Sequence, residues 1–128
     1  MEEGSDATVV SFGKIFKEAK KACEALAKDD INCELIDLRS VRPIDYETVV
    51  NSVKKTNRLV ILEEAWPLGN ISTELIAHVQ QHAFDYLDAP IRRINSQDTP
   101  MAYSPVLVEA YLPNAQHVVE AVKDVLYL

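Results

Sequence analysis

Two hydrophobic periods alternate along the chain. Four short runs rich in β-branched and aliphatic residues predict strands at residues 7–11, 33–38, 58–63 and 90–94. Between and after them, apolar residues recur every three or four positions. They predict helices from residue 14 to about 28, over about 46–55, from Asn70 to residue 83, and from Pro113 to near the end. Residues 95–105 predict a long loop, followed by a short helical turn at 106–111.

This alternation predicts the fold class. Strands that alternate with helices form right-handed βαβ units, which build a parallel sheet covered on both faces. We therefore predict a three-layer α/β/α domain with a mainly parallel sheet in the order 2-1-3-4. The first helix would lie on one face and the later helices on the other. No repeat or linker divides residues 1–128, so we predict one domain.

Composition and charge narrow the functional classes. Apolar residues make up 48% of the 128 positions, which suits a packed core. Thirteen basic against 20 acidic residues give a net charge of −7, and this argues against a nucleic-acid partner. No apolar run reaches the roughly 20 residues of a membrane span, and the acidic start of the chain is unlike a signal peptide.

The loops after the strands are the first place to look for chemistry, because ligands of such sheets bind beyond the carboxyl ends of the strands. Ser11 to Lys14 could cradle an anion on backbone N–H groups. The chain has only three glycines, however, and one at this turn is too few for a phosphate-binding loop. We favour a tight turn at Gly13 and keep a stand-alone, flavodoxin-like anion-binding module as an alternative.

Glu63 ends the third predicted strand, and Glu64, Trp66 and Pro67 follow it closely. Two carboxylates can perform acid–base chemistry, but neighbouring residues of a strand point to opposite faces. An interface or hydrogen-bonding role is therefore the favoured interpretation. The only Trp, stiffened by the following Pro, is typical of an interface anchor, although a Trp folded back on its own domain fits equally well.

The histidines and cysteines make weaker candidates. His78 and His82 share a helix face, but the pattern lacks the further ligands of a zinc site, so a solvated face is favoured. Cys23 lies on the apolar stripe of the first helix, and Cys33 opens the second strand. They form no C-x-x-C pair, so we interpret both as small core residues.

Negative charge collects on the last predicted helix. Glu120 and Asp124 are four residues apart on its outer face, and Asp124 is close to its negative end. The carboxylate at Leu128 adds to them. Such a cluster is either a solvated surface or a docking site for a basic partner.

Five segments carry a family resemblance that extends over essentially the whole chain. They are DLRSVRPID (37–45), SVKKT (52–56), EEAWP (63–67), YLDAP (86–90) and DTPMAY (98–103). Together they resemble the C-terminal domain of the β subunit of thiamine-diphosphate-dependent 2-oxo acid dehydrogenases. The last two segments are most similar to the pyruvate-specific branch, with branched-chain and acetoin-type relatives as alternatives. The C-terminal domain of transketolase shares this fold.

The resemblance implies that the chain is one domain of a longer subunit. The preceding part would carry a pyrimidine-binding domain, and Met1 would replace the end of a strand that joins one sheet edge antiparallel. Thiamine diphosphate and Mg²⁺ belong to the full heterotetramer, between the α subunit and the preceding β domain. We therefore expect no catalytic, cofactor-binding or metal-binding residue in this chain, and no activity of the chain alone. The compartment implied is a bacterial cytoplasm, or the mitochondrial matrix in a eukaryote.

The resemblance also implies partners. Arg39 and the 63–67 segment, with Glu63, Glu64, Trp66 and Pro67, are the expected contacts with the α subunit and a second β subunit. Asp88 and the Leu128 carboxylate match positions that meet the basic subunit-binding domain of the dihydrolipoyl acetyltransferase. Glu120 and Asp124 would extend that docking surface.

Overall fold

The computed structural model describes residues 3–38, 45–63, 71–94 and 115–128. Within these ranges it contains four strands and four α-helices. The strands are β1 (Ala7–Ser11), β2 (Cys33–Asp37), β3 (Leu59–Leu62) and β4 (Arg92–Ile94). The helices are α1 (Phe16–Ala27), α2 (Tyr46–Thr56), α3 (Ile71–Ala83) and α4 (Ala115–Val125). Two 3₁₀ turns, Gly13–Ile15 and Phe84–Tyr86, adjoin α1 and α3.

The four strands form one parallel sheet in the order β2-β1-β3-β4. In the register, Val10 of β1 lies between Ile36 of β2 and Ile61 of β3, and Ile61 pairs on its other side with Arg93 of β4. This confirms the predicted fold class and strand order. The carboxyl ends of all four strands consequently meet at one edge of the sheet.

Two apolar layers bury the faces of the sheet. On one face, α1 and α4 pack over alternate residues such as Val9, Leu35 and Leu62. On the other face, α2 and α3 pack over Val10, Ile36 and Ile61. The prediction that all later helices oppose the first is therefore wrong for α4, which returns to the face of α1. Its apolar stripe of Val118, Ala121, Val122 and Val125 is buried there.

Local chemistry sets several element boundaries. Gly13 has a φ of +73°, and the 3₁₀ turn that follows delays α1 to Phe16 rather than residue 14. The Asp45 carboxylate caps α2 as predicted, because its Oδ1 accepts a hydrogen bond from the Thr48 N–H at 3.2 Å. Asn57, at a φ of 66°, ends that helix in the left-handed conformation.

Several predictions lie outside the described residues. They concern the Asn70 cap, the 95–105 loop, the turn at 106–111 and the start of the last helix at Pro113. Within the described ranges, no helix is both long and apolar enough to span a membrane.

Candidate functional site

The carboxyl edge of the sheet is described only in part. Glu63 follows β3 and is 1% exposed, and its N–H donates to the Ile94 carbonyl at 3.0 Å. Ser11 is fully buried at the end of β1, and its carbonyl accepts from the Leu38 N–H at 3.0 Å. The other residues proposed for this edge, Arg39, Glu64, Trp66 and Pro67, lie outside the described residues.

Asp88 lies at the opposite end of the sheet, between the 3₁₀ turn after α3 and β4. Its side chain is 59% exposed. Its backbone is held on both sides, because its N–H donates to the Asn57 carbonyl at 2.9 Å and its carbonyl accepts from the Tyr127 hydroxyl at 3.2 Å. A fixed backbone with an exposed carboxylate is a suitable arrangement for binding a cation from outside.

Arg58 connects this site to the end of α4. Its Nε donates to the Val125 carbonyl at 3.0 Å, and its Nη2 lies 4.0 Å from the Asp88 Oδ2. At the end of the chain, the Leu128 N–H donates to the Lys123 carbonyl at 2.9 Å. The structure thus brings Asp88 and the 125–128 segment together, as the docking hypothesis requires.

Asp88 lines an open groove of about 520 Å³. Its lining is mostly apolar, and Asp88 is the only charged residue among the described residues that form it. The lining residues are Ile76, Gln80, Phe84, Leu87, Asp88, Ala89, Pro90, Ile91 and Tyr127. The resemblance covers Asp88 and its neighbours in the 86–90 segment. Ile76 and Gln80 of α3, Phe84 of the 3₁₀ turn, Ile91 and Tyr127 have no signature in the sequence.

Glu120 and Asp124 are both exposed on α4, beside β4. Asp124 forms an ion pair with Arg92, with 2.6 Å between Oδ2 and Nη1, while the Glu120 carboxylate accepts from the Gln116 Nε2 at 3.4 Å. Arg92 offsets the charge of Asp124 and relieves its repulsion with Glu120. The negative surface of α4 is therefore weaker than the sequence suggests. Asp88 and Asp124 are similarly exposed, but Asp88 is less closely paired, since its carboxylate lies 4.0 Å from Arg58.

A buried polar network beneath α2 has no counterpart in the sequence predictions. Glu34, 3% exposed on β2, accepts from the Ser52 hydroxyl and from the Lys55 Nζ, the latter at 2.5 Å. This bond holds the pKa of Lys55 above its ordinary value. Thr8 Oγ1 lies 2.7 Å from both Ser52 Oγ and Thr56 Oγ1. The available signal was a glutamate within an otherwise apolar strand, opposite hydroxyls on the inner face of α2.

His78 differs from the predicted solvated face. Its ring stacks on Tyr46 with 4.1 Å between centroids, and the His82 ring lies 4.3 Å away on its other side. Desolvation, helped by the neighbouring His82, lowers the pKa of His78. His78 therefore belongs to the contact between α2 and α3, while His82 is exposed, as predicted for that face.

Cys23 and Cys33 are both buried in the core, as the sequence predicts. A hydrogen bond with the Cys23 thiol lowers the pKa of Cys33, although burial and the charge of Asp6 act in the opposite direction. The two residues join α1 to β2 within one apolar layer.

Thiamine diphosphate and Mg²⁺ find no fitting site in the described part of the chain. No group of three or more His, Cys, Asp or Glu side chains there could hold a metal ion. Gly13, the one glycine at a described strand-to-helix turn of the carboxyl edge, has a positive φ that a tight turn accounts for.

Comparison with known proteins agrees with the fold. Residues 1–118 match the family model of the transketolase C-terminal domain. The chain is 50% identical to the mitochondrial pyruvate dehydrogenase E1 component subunit β of Dictyostelium discoideum over 96% of its own length and 35% of that protein. It is 51% identical to the corresponding subunit of Rhizobium meliloti, over 97% of this chain and 27% of that protein.

The solved structures give the same result. A split-gene transketolase, described as an inactive β4 tetramer, matches with a TM-score of 0.87 at 28% identity, over 99% of this chain and 41% of that one. A 2-oxoglutarate:ferredoxin oxidoreductase from Magnetococcus marinus shares the fold at 11% identity, with a TM-score of 0.62 over 98% of this chain and 18% of that one. The chain spans about a quarter to two-fifths of the length of the curated relatives that it matches. On this basis the chain belongs to the transketolase C-terminal domain family, and the curated relatives to which it is similar are β subunits of the pyruvate dehydrogenase E1 component.

Proposed function

We propose that this chain is an assembly and docking domain of a pyruvate dehydrogenase β subunit. The full complex would decarboxylate pyruvate and transfer the acetyl group to lipoyl groups of the acetyltransferase core. The observation that carries the docking role is the exposed carboxylate of Asp88 on a backbone fixed from both sides. The partner would be the basic subunit-binding domain of the acetyltransferase.

The geometry of Asp88 supports a charge-assisted contact. Its one described cationic neighbour, Arg58, is 4.0 Å away and also donates to the Val125 carbonyl. A carboxylate has about four lone-pair sites, so Asp88 can accept a guanidinium or ammonium group of the partner as well. Because its backbone is already ordered, binding costs less side-chain and loop entropy than at a flexible acidic segment.

The end of the chain would contribute to the same surface. Leu128 is 76% exposed and lies next to Tyr127, whose hydroxyl donates to Asp88. Glu120 and Asp124 would act at the rim, where charges raise the association rate more than they raise the affinity. The ion pair between Asp124 and Arg92 makes Asp124 the weaker of these two contributors.

The assembly role would belong to the opposite edge of the sheet. The loops after β2 and β3, with Arg39, Glu64, Trp66 and Pro67, would contact the α subunit and a second β subunit. Glu63, buried at the end of β3, would fix the direction of its loop. Catalysis would take place in the assembled enzyme with thiamine diphosphate and Mg²⁺, and the chain alone would be inactive.

Replacing Asp88 by Asn tests the docking role. The substitution keeps the size and a hydrogen-bonding oxygen but removes the charge that a buried cation of the partner would need. We expect the binding free energy for a basic subunit-binding domain to fall by about 2–5 kcal/mol in isothermal titration calorimetry. The association rate should also lose part of its dependence on salt.

Glu24→Gln is the matched control, because Glu24 is an exposed acidic residue of α1, outside the proposed surface. It changes the net charge by the same amount, so any general electrostatic effect appears in both variants. Equal affinities for the Asp88→Asn variant, the Glu24→Gln variant and the unmodified chain would refute the docking role of Asp88.

A further inference from the structure

We infer that the groove beside Asp88 is a second, apolar part of the same docking surface. The inference rests on the proposed function. The groove would bind one large apolar side chain from an amphipathic helix of the basic partner. A basic residue about one helical turn away on that helix would reach Asp88. The groove, like Asp88 itself, would slow dissociation of the complex, while the rim charges of Glu120 and Asp124 would raise its rate of formation.

The distribution of exposed apolar side chains is the first support. Among the described residues, the large hydrophobic side chains that remain exposed are Phe84 at 62%, Tyr86 at 44%, Tyr127 at 71% and Leu128 at 76%. Two of them, Phe84 and Tyr127, line the groove, and the Tyr127 hydroxyl donates to the Asp88 carbonyl. Leu128 directly follows Tyr127, whereas Tyr86 is not a lining residue. Contiguous exposed apolar surface with a polar rim is typical of a protein interaction site.

The shape of the groove is the second support. Its volume of about 520 Å³ is within the range of concave binding sites, and it opens to the surface. Phe84 and Tyr127 contribute aromatic walls, while Ile76 and Ile91 line it from α3 and from the segment before β4. Aromatic side chains in such positions are frequent anchors of binding energy.

The arrangement of charge identifies the occupant. Asp88 is both a lining residue of the groove and the carboxylate of the proposed docking site, so a partner that reaches Asp88 also covers the groove. Because the only charge among the described lining residues is negative, the complementary surface is an apolar residue next to a cation. A helix places residues three or four positions apart on one face, which matches that need.

The division of roles follows from the physics of the two contacts. Charges at a rim steer the encounter over several ångströms and are screened by salt. An apolar anchor acts only at contact, since it depends on removal of surface from water, and it therefore slows dissociation. The two parts should separate in kinetic measurements.

The experiment compares Phe84→Ala with Tyr86→Ala by surface plasmon resonance. The immobilised partner is a recombinant basic subunit-binding domain of a pyruvate dehydrogenase acetyltransferase. Both residues belong to the same 3₁₀ turn and are exposed, but only Phe84 lines the groove. We expect Phe84→Ala to weaken binding about tenfold, chiefly by faster dissociation and with the salt dependence unchanged. Tyr86→Ala should bind like the unmodified chain.

A second pair of variants covers the possibility that Phe84→Ala unfolds the chain. Gln80→Trp would fill the groove from the exposed side of α3, whereas Gln81→Trp places the same ring on the exposed residue next to it, outside the groove. We expect only Gln80→Trp to impair binding. If neither Phe84→Ala nor Gln80→Trp affects binding while Asp88→Asn weakens it, the groove inference is wrong and the docking function stands. If the unmodified chain does not bind at all, the proposed function fails and the inference fails with it.

Discussion

At the scale of single residues, the least predictable feature is the polar network between β1, β2 and α2. Ser52 donates to Glu34, and Thr56 donates to the Arg58 carbonyl at 3.0 Å. A hydroxyl has one hydrogen, so Thr8, which contacts both Ser52 and Thr56 at 2.7 Å, can donate to only one of them at a time. Ser52 is therefore essential to the network, while Thr8 is partly redundant.

This asymmetry leads to a prediction for stability. Ser52→Ala leaves the buried Glu34 carboxylate with Lys55 as its only described partner and should lower the free energy of unfolding by about 1–3 kcal/mol. Thr8→Val, which is nearly isosteric, should cost less, because Ser52 and Thr56 keep their own acceptors. Denaturant unfolding measures both variants. A loss for Thr8→Val that equals or exceeds the loss for Ser52→Ala would contradict this account.

The distance in sequence between its members explains why the network was not predicted. Glu34 occurs in a strand whose apolar neighbours, Cys33 and Leu35, indicate burial on the opposite face. Its partners are 18 and 21 positions away, and only the packing of α2 onto the sheet brings them to it. The cap at Asp45 was predictable because its partner, Thr48, is three residues away.

At the scale of elements, hydrophobic periodicity predicted the bounds of helices and strands well wherever the element buries an apolar face. The bounds of β1 match the prediction, and α2 begins at Tyr46 as expected and ends one residue later than predicted, at Thr56. β4 was harder to delimit. Its residues are largely exposed, so the hydrophobic pattern that marks a buried strand is weak, and only Arg92–Ile94 pair with β3. The side of the sheet taken by α4 depends on long-range packing that the local pattern does not encode.

The contact between α2 and α3 should depend on pH through His78. Packing against Tyr46 shields part of its ring from water, and the neighbouring His82 adds to the effect, so the pKa of His78 is lowered in the folded chain. The folded state then binds the proton less readily than the unfolded state. Stability should therefore fall as the pH drops below the ordinary value of about 6.5, until His78 is protonated in both states.

Titration of the His78 ring by NMR checks this prediction. The midpoint should lie below the ordinary value, and His82→Ala should raise it only in part, since desolvation is the larger cause. A midpoint at or above the ordinary value would contradict the role assigned to the stack.

At the scale of the whole molecule, the two ends of the sheet have different proposed roles. The carboxyl edge of the strands is where doubly wound folds bind ligands, and in the proposed assembly it would face other subunits. Asp88, Arg58 and the end of α4 meet at the opposite end, away from that edge. One domain could then join the enzyme and tether it to the acetyltransferase without competition between the two contacts.

The sequence motifs identified the family and made Asp88 a candidate, but they did not predict the groove around it. The family depends on short contiguous segments that can be compared directly. The groove combines Ile76 of α3, Phe84 of the 3₁₀ turn and Tyr127, which are up to 51 positions apart in the numbering and have no common pattern. Single exposed apolar residues are common on protein surfaces, and they indicate a binding site only when the fold brings several of them together.

The most direct test of the docking account is an NMR titration of the ¹⁵N-labelled chain with the basic subunit-binding domain. We predict that amide shifts concentrate on residues 84–91 and 124–128, and that Asp88→Asn reduces them at equal partner concentration. Shifts centred instead on Ser11, Gly13 and Leu38 at the carboxyl edge, with residues 84–91 unchanged, would contradict the account.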